Sequence, residues 1–125
     1  MCGINGFNWR DNDLIERMNL SIEHRGSDDS GVFVEENISL GHLRLSILDL
    51  SEKGHQPMYF ENLSIVYNGE VYNFQEIRKE LEKMGYSFTS GTDTEVILKA
   101  YHKWGEAALQ KFNGMFAFAI WDVSS

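Results

Sequence analysis

The order in which strand-like and helix-like stretches follow one another is what most limits the folds open to this chain. Residues 2–7 read as a short strand. Residues 12–22 read as a helix whose Leu14, Ile15, Met18 and Ile22 share a face, with Asp11, Asn12 or Asp13 able to cap its start. Residues 24–31 are dense in turn formers and charge and read as a loop. Strands are expected over 32–35 and 38–50. In the second, Leu43, Leu45 and Ile47 alternate with His42, Arg44 and Ser46, giving one apolar and one polar face. Short strands follow over 58–60 and 63–67, and Asn68-Gly69 interrupts them before Glu70-Val71-Tyr72. Behind Asn73 a helix is expected over 74–84, burying Ile77, Leu81 and Met84 and ended by Gly85. A short strand over 86–89 precedes a helix that opens on a capping box, Thr92 with Glu95, and runs to Trp104. After Gly105 a helical piece covers about 107–112, and Asn113-Gly114 turns into the apolar strand 115–121.

Strands and helices therefore come in groups instead of alternating strictly, which favours an α+β fold with a largely antiparallel sheet. A strand as apolar as 115–121 is expected to be buried on both faces. The sequence stops just after it, so a neighbouring strand is expected to be missing and the edge to be prone to aggregation.

At 125 residues the chain is one domain at most, and 42% hydrophobic with 13% aromatic residues excludes a disordered or low-complexity class. A net charge of −8 argues against a nucleic-acid backbone or an anionic membrane surface as partner. Small molecules and proteins remain. A single cysteine excludes an internal disulfide framework and a cysteine-cluster metal site, and suits a reducing compartment. No apolar run approaches the roughly 20 residues that span a bilayer, and the N-terminus lacks the regions of a signal peptide. The expected location is cytoplasmic. The four histidines, His24, His42, His55 and His102, lack zinc-ligand spacing, and the glycine-rich pieces match neither a phosphate-binding loop nor a dinucleotide fingerprint. Neither a metal nor a nucleotide is expected on these residues.

That one cysteine stands at position two, in Met1-Cys2-Gly3-Ile4-Asn5-Gly6-Phe7. Removal of Met1 would make Cys2 the N-terminus, with nucleophile and base on one residue. Free thiols titrate near about 8.5 and α-amines near about 7.7–8.0, so such an amine can take the thiol proton and return it to a leaving group. With Met1 retained the nitrogen is an amide and cannot. The other reading, a small hydrophobe in a buried strand, stands beside it.

Further residues bear on the choice. Arg44, on the polar face of its strand, is either a solvated charge or a planar fork for a carboxylate. Asn68-Gly69, between alternating apolar residues, reads first as a hairpin turn. Yet an asparagine amide and the following N–H can also serve a developing oxyanion, and glycine admits close approach. Glu70 and Asp93 read singly as an exposed strand residue and a helix cap, and together as a seat for an ammonium group. One ligand type unites these signals. An α-amino acid with a side-chain amide, glutamine or asparagine, needs an arginine for its carboxylate, acids for its ammonium, oxyanion donors and a nucleophile.

At these residues the sequence resembles the N-terminal glutaminase domain of class II glutamine amidotransferases, most closely the asparagine synthase (glutamine-hydrolysing) branch. The resemblance rests on Met1-Cys2-Gly3-Ile4, His24-Arg25-Gly26 with Asp28, Arg44-Leu45-Ser46-Ile47 and Gln56-Pro57-Met58. It continues through Tyr67-Asn68-Gly69-Glu70-Val71-Tyr72-Asn73, Gly91-Thr92-Asp93-Thr94-Glu95 and Asn113-Gly114-Met115-Phe116-Ala117-Phe118. Ser27 stands where the family loop usually carries proline. The resemblance implies an N-terminal-nucleophile hydrolase fold, a four-layer αββα sandwich incomplete at the C-terminus, spanning residues 1–125. It implies that Cys2 attacks the glutamine side-chain amide, that Asn68 and the Gly69 amide hold the oxyanion, that Arg44 holds the α-carboxylate, and that Glu70 and Asp93 hold the α-ammonium. No cofactor is implied for this half. ATP and magnesium are implied for a synthetase domain acting on aspartate, which lies outside these residues, and a homodimer is a compatible assembly. The competing readings are the glutaminase domain of another class II amidotransferase and a non-catalytic, truncated interaction module.

Overall fold

The computed structural model describes residues 2–46 and 51–124. In chain order these form β1 (Gly3–Phe7), α1 (Asn12–Ser21), β2 (Asp29–Glu35), β3 (Ile38–Arg44), β4 (Met58–Phe60), β5 (Leu63–Val71), α2 (Phe74–Lys83), α3 (Asp93–Trp104) and β6 (Gly114–Asp122), with 3-10 turns at Glu23–Arg25, Glu52–Gly54 and Gly105–Lys111. The strands make two three-stranded sheets, ordered β1-β3-β2 and β4-β5-β6, and every pairing is antiparallel. Helix α1 packs on the first sheet and α3 on the second with α2 beside it, while β1 and β3 meet β5 across the gap. The layers run α, β, β, α. The α+β expectation holds.

Local chemistry sets the helix ends. Asp11 caps α1 by accepting from the Leu14 amide at 2.9 Å. Thr92 caps α3 by accepting from the Glu95 amide at 3.3 Å. The other half of the expected capping box is absent, because the Glu95 carboxylate reaches further back, to Ser90 and Thr89. Asn73 makes no side-chain cap on α2. Its amide instead pins the start of β6, donating to the Lys111 carbonyl at 2.8 Å and accepting from the Asn113 N–H at 2.9 Å.

Several expectations change. Asn68-Gly69 does not interrupt a strand, since β5 runs from Leu63 to Val71 with Asn68 opposite Ala117 and Gly69 opposite Phe116. Gly69, at φ +140°, lies so close to β6 that a Cβ there would meet the Met115 carbonyl, so the glycine serves a close backbone pass and not a hairpin. Residues 86–89 form no strand. Side chains take the place of a partner strand there, with Glu95 accepting the Thr89 amide and Lys99 donating to the Ser87 carbonyl. The polar face of β3 is buried, because it looks into the gap between the sheets, where His42 donates through Nε2 to the Tyr67 carbonyl at 3.0 Å. The strand expected over 38–50 ends at Arg44, and its stretch 47–50 lies outside the described residues.

Finally, β6 is not buried on both faces: its exposure alternates, and Met115 is 75% exposed. Among the described residues it pairs only with β5. Its Phe116, Phe118 and Ile120 pack on the core formed by Ile65, Tyr67, Val71, Ile77, Leu81 and the inner face of α3. Met84, placed on the buried stripe of α2 by its spacing, is exposed beyond the end of that helix, whereas Ile77 and Leu81 are buried.

Candidate active site

At the head of β1, Cys2 lies half-buried against the segment that leaves β3. Its Sγ accepts the Leu45 N–H at 3.3 Å and lies 3.6 Å from the Leu45 carbonyl oxygen. The Cys2 carbonyl is fixed in turn by Arg25, whose Nε donates to it at 3.0 Å. Antiparallel pairing of β1 with β3 carries Cys2 alongside Arg44, one step beyond the Gly3–Leu43 pair.

The Arg44 side chain is buried, with 6% of the residue exposed. Its Nη1 donates to the Ser51 carbonyl at 2.6 Å. Gly54 leaves the room it occupies, since a Cβ there would collide with Nη2. A solvated arginine needs no such accommodation, and a planar guanidinium held in place is the group type that recognises a planar anion.

Strand β5 supplies the opposite wall. Gly69 and the exposed Glu70 follow the half-buried Asn68. At the start of α3, Asp93 is buried at 5% exposure. Its Oδ2 accepts the Tyr67 hydroxyl at 2.5 Å and the Val71 N–H at 3.0 Å. Burial pushes the Asp93 carboxyl up from its ordinary range, and the nearby Glu70 adds to this. The Tyr67 and Val71 hydrogen bonds and its own main-chain N–H pull the other way. Tyr67 is itself raised, first by burial and then by the bond to Asp93. The His42 imidazole, fully buried, is lowered to about 4, chiefly by burial, which outweighs its bond to the Tyr67 carbonyl.

The turn that carries Asp93 is held by a buried ion pair. Lys99 Nζ lies 2.7 Å from Glu95 Oε2 and sits over the Phe60 and Phe88 rings. Glu95 Oε1 accepts the Ser90 amide at 2.8 Å and its hydroxyl at 2.6 Å. Burial alone would raise the Glu95 carboxyl, but Lys99, Ser90 and Thr89 together hold it below the ordinary range. Its contribution to stability is therefore present above the unfolded value, about 4.3, and is lost as pH falls through the lower folded value. Lys99→Met removes the cation and leaves a buried carboxylate. The expected cost is about 3–5 kcal/mol, read by urea denaturation at neutral pH. The acid loss of stability should also move to higher pH than in the wild type.

Cys2, Arg44, Gly69, Glu70 and Asp93 line one narrow cleft of about 70 Å³, and Asn68 stands next to it without lining it. A wider groove of about 680 Å³ beside α1 and β2 includes none of these residues. Among the described residues, a thiol, a guanidinium and two carboxylates converge in the narrow one and not in the wider groove. Among the described residues, no group of three or more His, Cys, Asp or Glu could hold a metal ion, and no helix is long and apolar enough to cross a membrane. Sequence reasoning assigns no role to Arg25, Gln56 or Tyr67. Arg25, Gln56 and Tyr67 stand in stretches already singled out, but their partners are remote in sequence.

The chain matches the glutamine amidotransferase domain family over residues 1–125. It is 47% identical over 112 residues to asparagine synthetase (glutamine-hydrolysing) 1 of Bacillus subtilis, covering 88% of this chain and 18% of that protein. It is 39% identical over 130 residues to asparagine synthetase B (glutamine-hydrolysing) of Escherichia coli, covering 98% of this chain and 23% of that protein. The chain thus spans about a fifth of the length of these relatives. Among solved structures, glutamine phosphoribosylpyrophosphate amidotransferase from B. subtilis superposes with a TM-score of 0.80 at 20% identity, covering 98% of this chain and 35% of that one. That likeness concerns the fold alone, which is the N-terminal-nucleophile hydrolase sandwich. Matched along its whole length by one family, the chain belongs to the glutamine amidotransferase domains.

Proposed function

We propose that this chain belongs to the glutamine-hydrolysing unit of an asparagine synthetase and that residues 1–125 are part of its glutaminase domain. The carrying observation is the cleft in which the Cys2 thiol, the Arg44 guanidinium and the Glu70 and Asp93 carboxylates converge. These are the groups that an α-amino acid with a reactive side-chain amide requires.

Loss of Met1 gives Cys2 a free amine, which takes the thiol proton directly or through one water. Sγ then bonds to the side-chain amide carbon of glutamine. The oxygen gathers charge and is held by the Asn68 side-chain amide and the Gly69 N–H. As the intermediate collapses the carbon–nitrogen bond breaks, the proton passes from the amine to the leaving nitrogen, and ammonia departs from a thioester. Water adds to the thioester with the amine again as base, glutamate leaves and the thiol is restored. Throughout, Arg44 pairs with the α-carboxylate of glutamine and Glu70 and Asp93 with its α-ammonium. In the whole protein, ATP and magnesium belong to a separate synthetase domain that uses the ammonia on aspartate. A reducing cytoplasm suits the free thiol.

Incubation with glutamine tests this reading. Protein shown by intact mass to lack Met1 should release glutamate and ammonia in equal amounts. If such protein releases no glutamate, the reading is wrong and the non-catalytic module takes its place.

A further inference from the structure

Tyr67 is bonded on every polar atom it has. On one edge β5 is paired with β6, Tyr67 standing opposite Phe118. On the other edge β4 stops at Met58, opposite Ile65, so the Tyr67 main chain has no strand beside it there. Two side chains fill the gap. Gln56 Oε1 accepts the Tyr67 N–H at 2.7 Å, and His42 Nε2 donates to the Tyr67 carbonyl. Gln56 also donates through Nε2 to Thr94 Oγ1 at 3.2 Å, so the same amide ties β5 to the first turn of α3. With its backbone held in this way, the Tyr67 ring crosses to α3 and its hydroxyl meets Asp93.

We propose that Tyr67 is a positioning residue for the Asp93 carboxylate and fixes which of its oxygens meets the ligand's cation. The hydroxyl and the Val71 N–H converge on Oδ2, so β5 occupies that oxygen and leaves Oδ1 for an ammonium group. Tyr67 needs no contact with the ligand for this. The inference rests on the reading of Asp93 as part of an ammonium seat. It adds how a buried carboxylate at a helix start is oriented and given a donor for its charged form. The titratable and charged groups around Asp93 are Tyr67 and Glu70 on β5, Arg44 on β3 and Cys2 at the head of β1. Of these, Tyr67 supplies a hydrogen bond to the charged form, and Glu70 opposes ionisation.

Tyr67→Phe keeps the ring and removes only the donor. In the purified protein, KM for glutamine should rise about tenfold or more while kcat changes little, the pattern of lost binding away from the reacting carbon. Because a donor to the charged form is gone, the acid limb of kcat/KM should move to higher pH. In the Asp93→Asn background, Tyr67→Phe should add almost nothing. An unchanged KM, or an effect of Tyr67→Phe that persists in full in the Asp93→Asn background, would overturn the proposal. The Asp93 carboxyl ¹³C shift followed with pH reads the same bond without glutamine. The carboxyl should titrate higher in Tyr67→Phe, and equal midpoints would also overturn the proposal. Should Tyr67→Phe not fold, Asp93→Asn supplies the complement: the Tyr67 hydroxyl proton resonance is expected to move upfield when its carboxylate acceptor is lost, and an unmoved resonance would overturn the proposal. Failure of wild-type protein to turn over glutamine would instead strike at the glutaminase reading, and the carboxyl titration tells the two failures apart.

Discussion

Cys2→Ala is expected to abolish glutamate release from glutamine, with a loss on the order of 10⁶-fold in kcat, the scale on which removing a covalent nucleophile acts. Nothing else in the cleft can form the thioester, since Cys2 is the only cysteine of the chain. The fold should be almost indifferent to the change. Cys2 is only half-buried, and its sulfur meets the edge of the structure at the Leu45 main chain instead of the core. Melting temperature should therefore stay within a few degrees of the wild type while activity disappears. Glutamate release by Cys2→Ala above background would refute the assignment of nucleophile. Glutamine binding should survive, because Arg44, Glu70 and Asp93 are untouched, and binding measured by calorimetry separates loss of chemistry from loss of the site.

The second large effect is expected at Arg44. Arg44→Lys keeps the charge but replaces a planar fork with a single ammonium that cannot bond a carboxylate in two places. The loss of a charge-assisted pair corresponds to about 10–150-fold in KM for glutamine. The surroundings make compensation hard. Gly54 is shaped to the guanidinium, and the Ser51 carbonyl already takes one of its donors. Glutamine analogues that lack the α-carboxylate supply the control. They should bind wild type and Arg44→Lys equally weakly, whereas a penalty that persists with such analogues would assign Arg44 a purely structural role.

Much of this was legible in the sequence because it depends on short-range patterns. Ile15 on α1, and Ile77 and Leu81 on α2, fall at helical spacing and are buried. The α+β grouping follows from the order of elements alone. The candidate residues were legible for a different reason. Cys2, Arg44, Glu70 and Asp93 are each ambiguous, but they complement one another around a single type of ligand. What escaped the sequence involves partners far apart in the chain. Tyr67 ends the strand read over 63–67 on the same face as Leu63 and Ile65, and its hydroxyl finds Asp93 on another element. Asn68-Gly69 is the strongest short turn signal in the chain, yet the β6 backbone lies against Gly69 and keeps β5 straight. Residues 86–89 have strand composition, but Glu95 and Lys99 take up main-chain groups that a strand would have paired. The polar face of β3 is legible only as a property of one strand, and the second sheet makes it an interior.

In the proposed mechanism Cys2, once Met1 is removed, is a nucleophile directed at glutamine. Intact mass spectrometry after incubation with a glutamine-mimicking electrophile reads this on the thiol itself. Chains lacking Met1 should gain the mass of one reagent, mapped by fragmentation to Cys2, and glutamine in excess should protect them. Chains retaining Met1 should remain unmodified. Met1-free chains left unlabelled, or labelling that glutamine does not suppress, would contradict the claim.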